Sequence, residues 1–230
     1  MTTIALIVAG GSGERFGGDV PKQYQLLAGR PVMSWTIGRF EAAETIDQIV
    51  LVVGEDYLLH VNNTVVDPYD FLKVVKIVPG GASRTESVAK GLAALPQATS
   101  YVAIHDAVRP LVKPADIDAV VREAQQHRAA ILGRPVAETV KRAREGMILA
   151  TVDRTNLFIA ETPQAFQYDL ISEAHRKGAA SGTKATDDAA LVEAFGFMVR
   201  LVSSTGPNPK LTTSTDADFI KMMLERESHE

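Results

Sequence analysis

The sequence predicts an α/β protein with a doubly wound, mainly parallel, Rossmann-like sheet and a protruding β-arm. Three observations predict it. Short apolar runs alternate with helix-like stretches through the first 136 residues, which is the pattern of βαβ units and of a sheet buried on both faces. A basic, strand-like hairpin then interrupts that alternation. No repeat, low-complexity tract or linker divides the 230 residues, so 1–230 reads as one domain carrying an arm at about 137–154.

The strand-like runs are Ile4–Ala9, Ile46–Val53, Val74–Val78, Tyr101–His105 and Ala129–Val136. Between them Pro31–Ala42, Glu55–Val65, Ser83–Leu95 and Pro114–His127 show helical spacing or start signals,. Pro31 and Pro114 suit a first helical turn, where the missing N–H has no intrahelical acceptor. Ser83 with Glu86 reads as a capping box. In the arm, strand-like Thr139–Arg144 and Met147–Val152 flank the turn signal Glu145-Gly146,. Helices over Asp169–Lys177 and Asp187–Phe195, a strand over Phe197–Ser203 and a last helix from near Ser214 complete the expected order.

Composition narrows the function classes. There is no cysteine, so disulfides, thiolate nucleophiles and cysteine-ligated metals are excluded. A net charge of -4 argues against nucleic-acid binding, which normally needs a basic face. It leaves room for an anionic substrate held by a few local cations. No stretch approaches a membrane span, and Ile4–Ala9 is too short and lacks the basic flank of a signal peptide,. A soluble, cytoplasmic protein is therefore expected.

The chemistry concentrates where strands end. The first strand runs into Ala9-Gly-Gly-Ser-Gly-Glu-Arg-Phe-Gly, whose glycines let backbone N–H groups converge on a phosphate. This is not the dinucleotide fingerprint, because Phe16 stands where the third glycine belongs, and no Gly-Lys-Ser/Thr follows to make a P-loop,. The turn alone is equally compatible with a tight βα connection. Arg15 lies within it and Pro21-Lys22-Gln23 follows. Either cation alone would read as solvated surface charge. Together, beside a backbone nest, they suit attack at an α-phosphate, where charge builds on phosphoryl oxygens and departing pyrophosphate.

AGGSGERFG followed by PKQY resembles the opening of the sugar nucleotidyltransferases, and the PKQ element narrows this to a cytidylyltransferase branch. GGASRTESV, HDAVRP, TVDR, ETPQAF, ATDDA and PNPKLTT follow in the order of the 2-C-methyl-D-erythritol 4-phosphate cytidylyltransferase family, over residues 4 to about 220. The resemblance implies CTP and a small polyol phosphate as substrates, Mg²⁺ delivered mainly through the triphosphate, and a homodimer formed through the β-arm. The expected catalytic cations are Arg15, Lys22, Arg154 and Lys210. Substrate contacts are expected from Ala9, Gly10, Gly11, Gly13, Gly81, Ser87, Asp106, Ala107, Arg109, Thr139 and Thr186.

Each position also carries a physical reading. Gly81 and Ser87 flank a helix start after the third strand; the resemblance implies that they hold the cytosine, where a close-fitting loop can accept a pyrimidine and exclude a purine, and the alternative is a helix N-terminus with an ordinary cap. Asp106 closes the fourth strand and either accepts bonds from substrate hydroxyls and helps place phosphate-held Mg²⁺, or pairs with Arg109 to fix the loop. His105 is expected to be packed, not catalytic. Thr139 and Arg154 are implied to reach the partner's site, where a guanidinium fork suits the acceptor phosphate. Arg142 and Arg144 read as solvated. Pro209 departs from the family's N-x-K-x-T element and leaves the placement of Lys210 open. Thr186 either touches substrate or caps a helix. No protein-held metal cage is expected. Two alternatives stand beside this: a ribitol 5-phosphate cytidylyltransferase, and a non-catalytic nucleotide-binding domain on the same fold.

Overall fold

The computed structural model describes residues 1–10 and 20–227. In chain order, β1 (Thr2–Ala9) is followed by a two-residue ladder, β2 (Leu26–Leu27) with β3 (Arg30–Pro31), and by α1 (Val32–Glu41). Next come β4 (Gln48–Val53), a short α2 (Leu58–Val61), β5 (Val74–Pro79), α3 (Arg84–Ala93), β6 (Thr99–Asp106), α4 (Pro114–His127) and β7 (Ala129–Pro135). The arm is β8 (Val140–Arg144) with β9 (Met147–Val152). The chain continues through β10 (Phe158–Gln167), α5 (Tyr168–Ser181), α6 (Asp188–Ala194), β11 (Arg200–Ser203) and α7 (Ser214–Glu227).

One seven-stranded sheet, in the order β11-β7-β10-β6-β1-β4-β5, forms the centre. All its pairings are parallel except those of β10, which runs antiparallel to both β6 and β7. Alternation along β1 explains the layering. Ala5, Ile7 and Ala9 join Met33, Ile37 and Phe40 of α1 and Ile117 and Val121 of α4 on one face. Ile4, Leu6 and Val8 join Val88 and Leu92 of α3, Ile171 of α5 and Val192 of α6 on the other. Each large side chain so buried contributes about 1.5–3 kcal/mol, and a one-residue slip would exchange the two faces. A third cluster joins Val32, Val108, Leu111 and Leu211 to Ile220 and Leu224 of α7. Among the described residues no helix is long and apolar enough to cross a membrane.

Two expectations are corrected. Glu55–Val65 is not one helix. It breaks into a 3₁₀ turn at Glu55–Tyr57, the four residues of α2, a π turn at Asn62–Val66 and a second 3₁₀ turn at Asp67–Tyr69. Asn62-Asn63-Thr64-Val65-Val66 is a poor helix former. The strand β10 is absent from the sequence reading. Glu161, Thr162, Pro163 and Gln164 at its centre look like a loop, yet all are buried, with Glu161, Thr162 and Gln164 fixed by specific partners.

The chain moves outward from β1 to β4 and β5, then returns to lay β6 on the other side of β1. Such a reversal opens a crevice outside the carboxyl ends of the strands. Gly10, Gly80 and Asp106 all lie at that edge.

Candidate active site

The nucleotide side of the crevice forms where β1 and α3 approach each other. Ser83 caps α3 by accepting a bond from the Glu86 N–H at 3.1 Å. Glu86 returns a carboxylate oxygen to the Ala82 N–H at 2.9 Å, one residue earlier than the usual box,. Ser87 is buried, and its Oγ accepts from the Gly81 N–H at 3.0 Å. A Cβ on Gly10 would lie 2.7 Å from that same Oγ, and one on Gly80 2.8 Å from it. Glycine is thus required at Gly10 and Gly80 for the two loops to meet. Ala9, at the end of β1, gives its carbonyl to Gln23 Nε2 at 2.8 Å. That bond ties the Pro21-Lys22-Gln23 turn to the mouth of the crevice. Gly11, Gly13 and Arg15 lie outside the described residues.

Asp106, the last residue of β6, is the hub of the other side. Its side chain is 9% exposed. Oδ1 accepts from Arg84 Nε at 2.9 Å, and Oδ2 from Lys210 Nζ at 2.8 Å, while Arg109 Nε stands 3.7 Å from Oδ2. Burial by itself would raise this carboxyl. Arg84 and Lys210 outweigh it and hold the group well below the ordinary carboxylate range, so it is an anion at neutral pH,. Arg109 has its ordinary range lowered by burial, with Asp106 and Glu161 working against that shift.

Lys210 has a definite place despite Pro209. Asn208 Nδ2 donates to the Thr162 carbonyl at 2.9 Å and to Glu161 Oε2 at 3.2 Å, and the Asn208 carbonyl accepts from Arg109 Nη1 at 2.7 Å. On the far side, the Leu211 N–H donates to the Val108 carbonyl at 2.9 Å. Pro209 carries no N–H, and the segment is held instead by the Asn208 side chain and the Leu211 backbone,. Lys22 Nζ donates to the Leu211 carbonyl at 2.7 Å. Two of the four expected cations, Lys22 and Lys210, therefore converge on the same stretch of chain.

His105 is fully buried between Thr162 Oγ1 and the Arg109 carbonyl. Burial pushes its imidazole down to about 3, so the ring is neutral and structural. Ala107 is also fully buried. Its N–H donates to the Val8 carbonyl and its carbonyl accepts from Thr36 Oγ1, so its polar groups hold the loop to β1 and α1. Thr186 is exposed and is not the cap of α6, since Asp187 accepts the Ala190 N–H at 2.9 Å instead.

The arm forms its own two-stranded ladder. Glu145 and Gly146 both have positive φ, 52° and 79°, as a two-residue turn matched to strand twist requires. Thr139 and Arg154 are exposed, and Arg154 donates to the Ala137 carbonyl at the arm's root. Among the described residues, neither makes a hydrogen bond or ion pair with the Asp106 cluster. Met147, Ile148 and Leu149 are exposed in succession. Sequence reasoning missed Arg84 and Asp188 as members of the cluster. A readable signal existed: Arg84 opens a helix, where a cation opposes the dipole unless anions hold it.

The family model described as IspD, 2-C-methyl-D-erythritol 4-phosphate cytidylyltransferase, matches residues 3–226. The chain is 43% identical over 222 residues to the protein of that name from Pelotomaculum thermopropionicum, covering 96% of this chain and 93% of the relative. It is equally similar, 43% over 226 residues, to the one from Syntrophotalea carbinolica, covering 98% and 97%. The solved structure of 4-diphosphocytidyl-2C-methyl-D-erythritol synthase from Anaerococcus prevotii matches with a TM-score of 0.85 at 28% identity, covering 97% and 96%.

Proposed function

This chain belongs to the 2-C-methyl-D-erythritol 4-phosphate cytidylyltransferase family, and from that premise we propose how its residues divide the work. It is a nucleotidyltransferase that joins CTP to 2-C-methyl-D-erythritol 4-phosphate in isoprenoid precursor biosynthesis. An acceptor phosphate oxygen attacks the α-phosphorus of CTP. A new P–O bond forms as the bond to the β-phosphate breaks, and pyrophosphate leaves with the electron pair. An ionised phosphate monoester is already a competent nucleophile, so no base is required, and rate comes from positioning and charge stabilisation.

The observation that carries this reading is the Lys210–Asp106 pair at the carboxyl end of β6, with Lys22 bonded to the Leu211 carbonyl next to it, beside the close approach of Gly10 to Ser87. Lys22 faces the triphosphate, and Arg15, which lies outside the described residues, is assigned to the same group from its place in the sequence. Ser87 and Gly81 hold the cytosine. Asp106 takes substrate hydroxyls, and Arg109 holds the loop that carries Lys210. Among the described residues no group of three or more histidine or carboxylate side chains stands together, while both Asp106 oxygens accept bonds from cations. That donor set fits Mg²⁺ held mainly by phosphates with at most one or two carboxylates. When bound, Mg²⁺ neutralises charge on the phosphate oxygens. The arm reads as the dimer contact. Support comes from its exposed Met147, Ile148 and Leu149 and from the exposure of Thr139 and Arg154, which among the described residues make no hydrogen bond or ion pair with their own chain's cluster. Each subunit would then complete its partner's acceptor site. The cytoplasm is the compartment we assign.

The test is pyrophosphate release from CTP, ATP, GTP and UTP, each with methylerythritol phosphate or ribitol 5-phosphate, with and without Mg²⁺. Turnover confined to CTP, methylerythritol phosphate and Mg²⁺ is expected. Faster turnover with ribitol 5-phosphate would reassign the acceptor, and equal rates with a purine triphosphate would overturn the cytosine site.

A further inference from the structure

Arg84 is held at the start of α3 by two carboxylates: Asp106 at Nε, and Asp188 at Nη1 at 2.8 Å. Asp188 is 1% exposed, in the first turn of α6. Its backbone N–H donates to Gln164 Oε1 at 3.1 Å, and its other carboxylate oxygen meets His175 Nε2 at 3.0 Å. His175, on α5, is buried, and its Nδ1 has no partner. The tautomer with the proton on Nε2 satisfies this geometry, because it donates to Asp188 and leaves no buried N–H orphaned. Contacts therefore run without a gap from His175 through Asp188, Arg84 and Asp106 to Lys210. The side chains of Asp188 and His175, 2% and 4% exposed against 9% for Asp106, are engaged with each other and with Arg84.

We propose that Asp188 and His175 are positioning residues for cytidylyl transfer: they pin one end of the Arg84 guanidinium so that its other end orients Asp106 and, through it, Lys210. A guanidinium is a rigid fork, so tethering Nη1 restricts where Nε can point. The proposal rests on the reading that Asp106 and Lys210 face the substrates.

A double-mutant cycle on kcat/KM for both substrates tests it, using Asp188→Asn and Arg84→Gln. Asparagine keeps the size of residue 188 but removes the charge that pins the guanidinium. With Arg84 present, Asp188→Asn lowers kcat/KM about tenfold; with Arg84→Gln it lowers it less than about twofold, a coupling of ordinary size within one ionic network. Equal losses in both backgrounds, or no loss with Arg84 present, overturn the proposal. A second pair keeps the test decisive if those variants fold poorly. His175→Gln places an amide donor where Nε2 stood and retains activity, whereas His175→Leu loses as much as Asp188→Asn. Equal activity of the two His175 variants overturns the proposal. The unsubstituted enzyme, run alongside, separates the two readings. Its failure to release pyrophosphate would count against the substrate assignment, while additive losses in an active enzyme reject the positioning chain alone.

Discussion

Replacing Asp106 by asparagine removes one negative charge from a cluster that holds Arg84, Lys210 and Arg109 close together. Taking one partner from a buried ion pair typically costs about 3–5 kcal/mol, because the other charge is left uncompensated. Two features reduce that here. Arg84 keeps Asp188 at 2.8 Å, and the Lys210 side chain, 39% exposed, can turn its amine to water, where a pair is worth little. The expected loss at pH 7 is about 2–3 kcal/mol, or a fall of about 1 M in the urea midpoint. Its pH dependence is the sharper test. The folded-state carboxyl of Asp106 is depressed, so its stabilisation is full above the unfolded-state value and is lost as pH falls toward the folded one. The difference between Asp106→Asn and the unsubstituted chain should therefore shrink below about pH 4, by up to about 1.4 kcal/mol per unit. Urea titrations at pH 7, 5, 4 and 3 read this directly. A difference that stays constant with pH, or an unchanged midpoint at pH 7, would refute the electrostatic account.

Lys22→Ala should lower kcat about 10²–10³-fold, as loss of a preorganised charge stabiliser does, while Arg154→Ala should raise KM for the acceptor more than for CTP. Mixing the two impaired variants, assayed at acceptor concentrations below the raised KM, should restore activity in confirmed heterodimers, which contain one site free of both substitutions; no recovery rejects the shared site. Gly91→Ala sets helix preference, worth about 1 kcal/mol in favour of alanine, against overpacking at about 1–3 kcal/mol. The new Cβ would lie 2.6 Å from Leu6 Cδ1 and 2.8 Å from Val52 Cγ2, both in the fully buried core. Overpacking should win, and a raised melting temperature would contradict this.

The sequence by itself determined the α/β class, six of the seven strands of the central sheet, three of the four helices expected before residue 137, the three after it and the arm, because buried strands and helix starts leave local marks. The Val/Ile/Leu runs, Pro114 in the first turn of α4 and the Ser83–Glu86 cap are all read within a few residues. The ordered loops also led to Lys22, Asp106 and Lys210, since each stands in a compact motif at a strand or helix end. Tertiary structure alone decided who meets whom. Arg84, Asp106, Asp188 and Lys210 join across 22 to 104 residues of chain, and such distant pairings depend on which strands lie side by side. β10 could not be read for the same reason. Its buried Glu161, Thr162 and Gln164 look like loop residues until Asn208, the Asp106 backbone and Asp187 supply their partners. A polar residue's burial is set by partners brought from elsewhere in the chain, and local sequence carries no record of them.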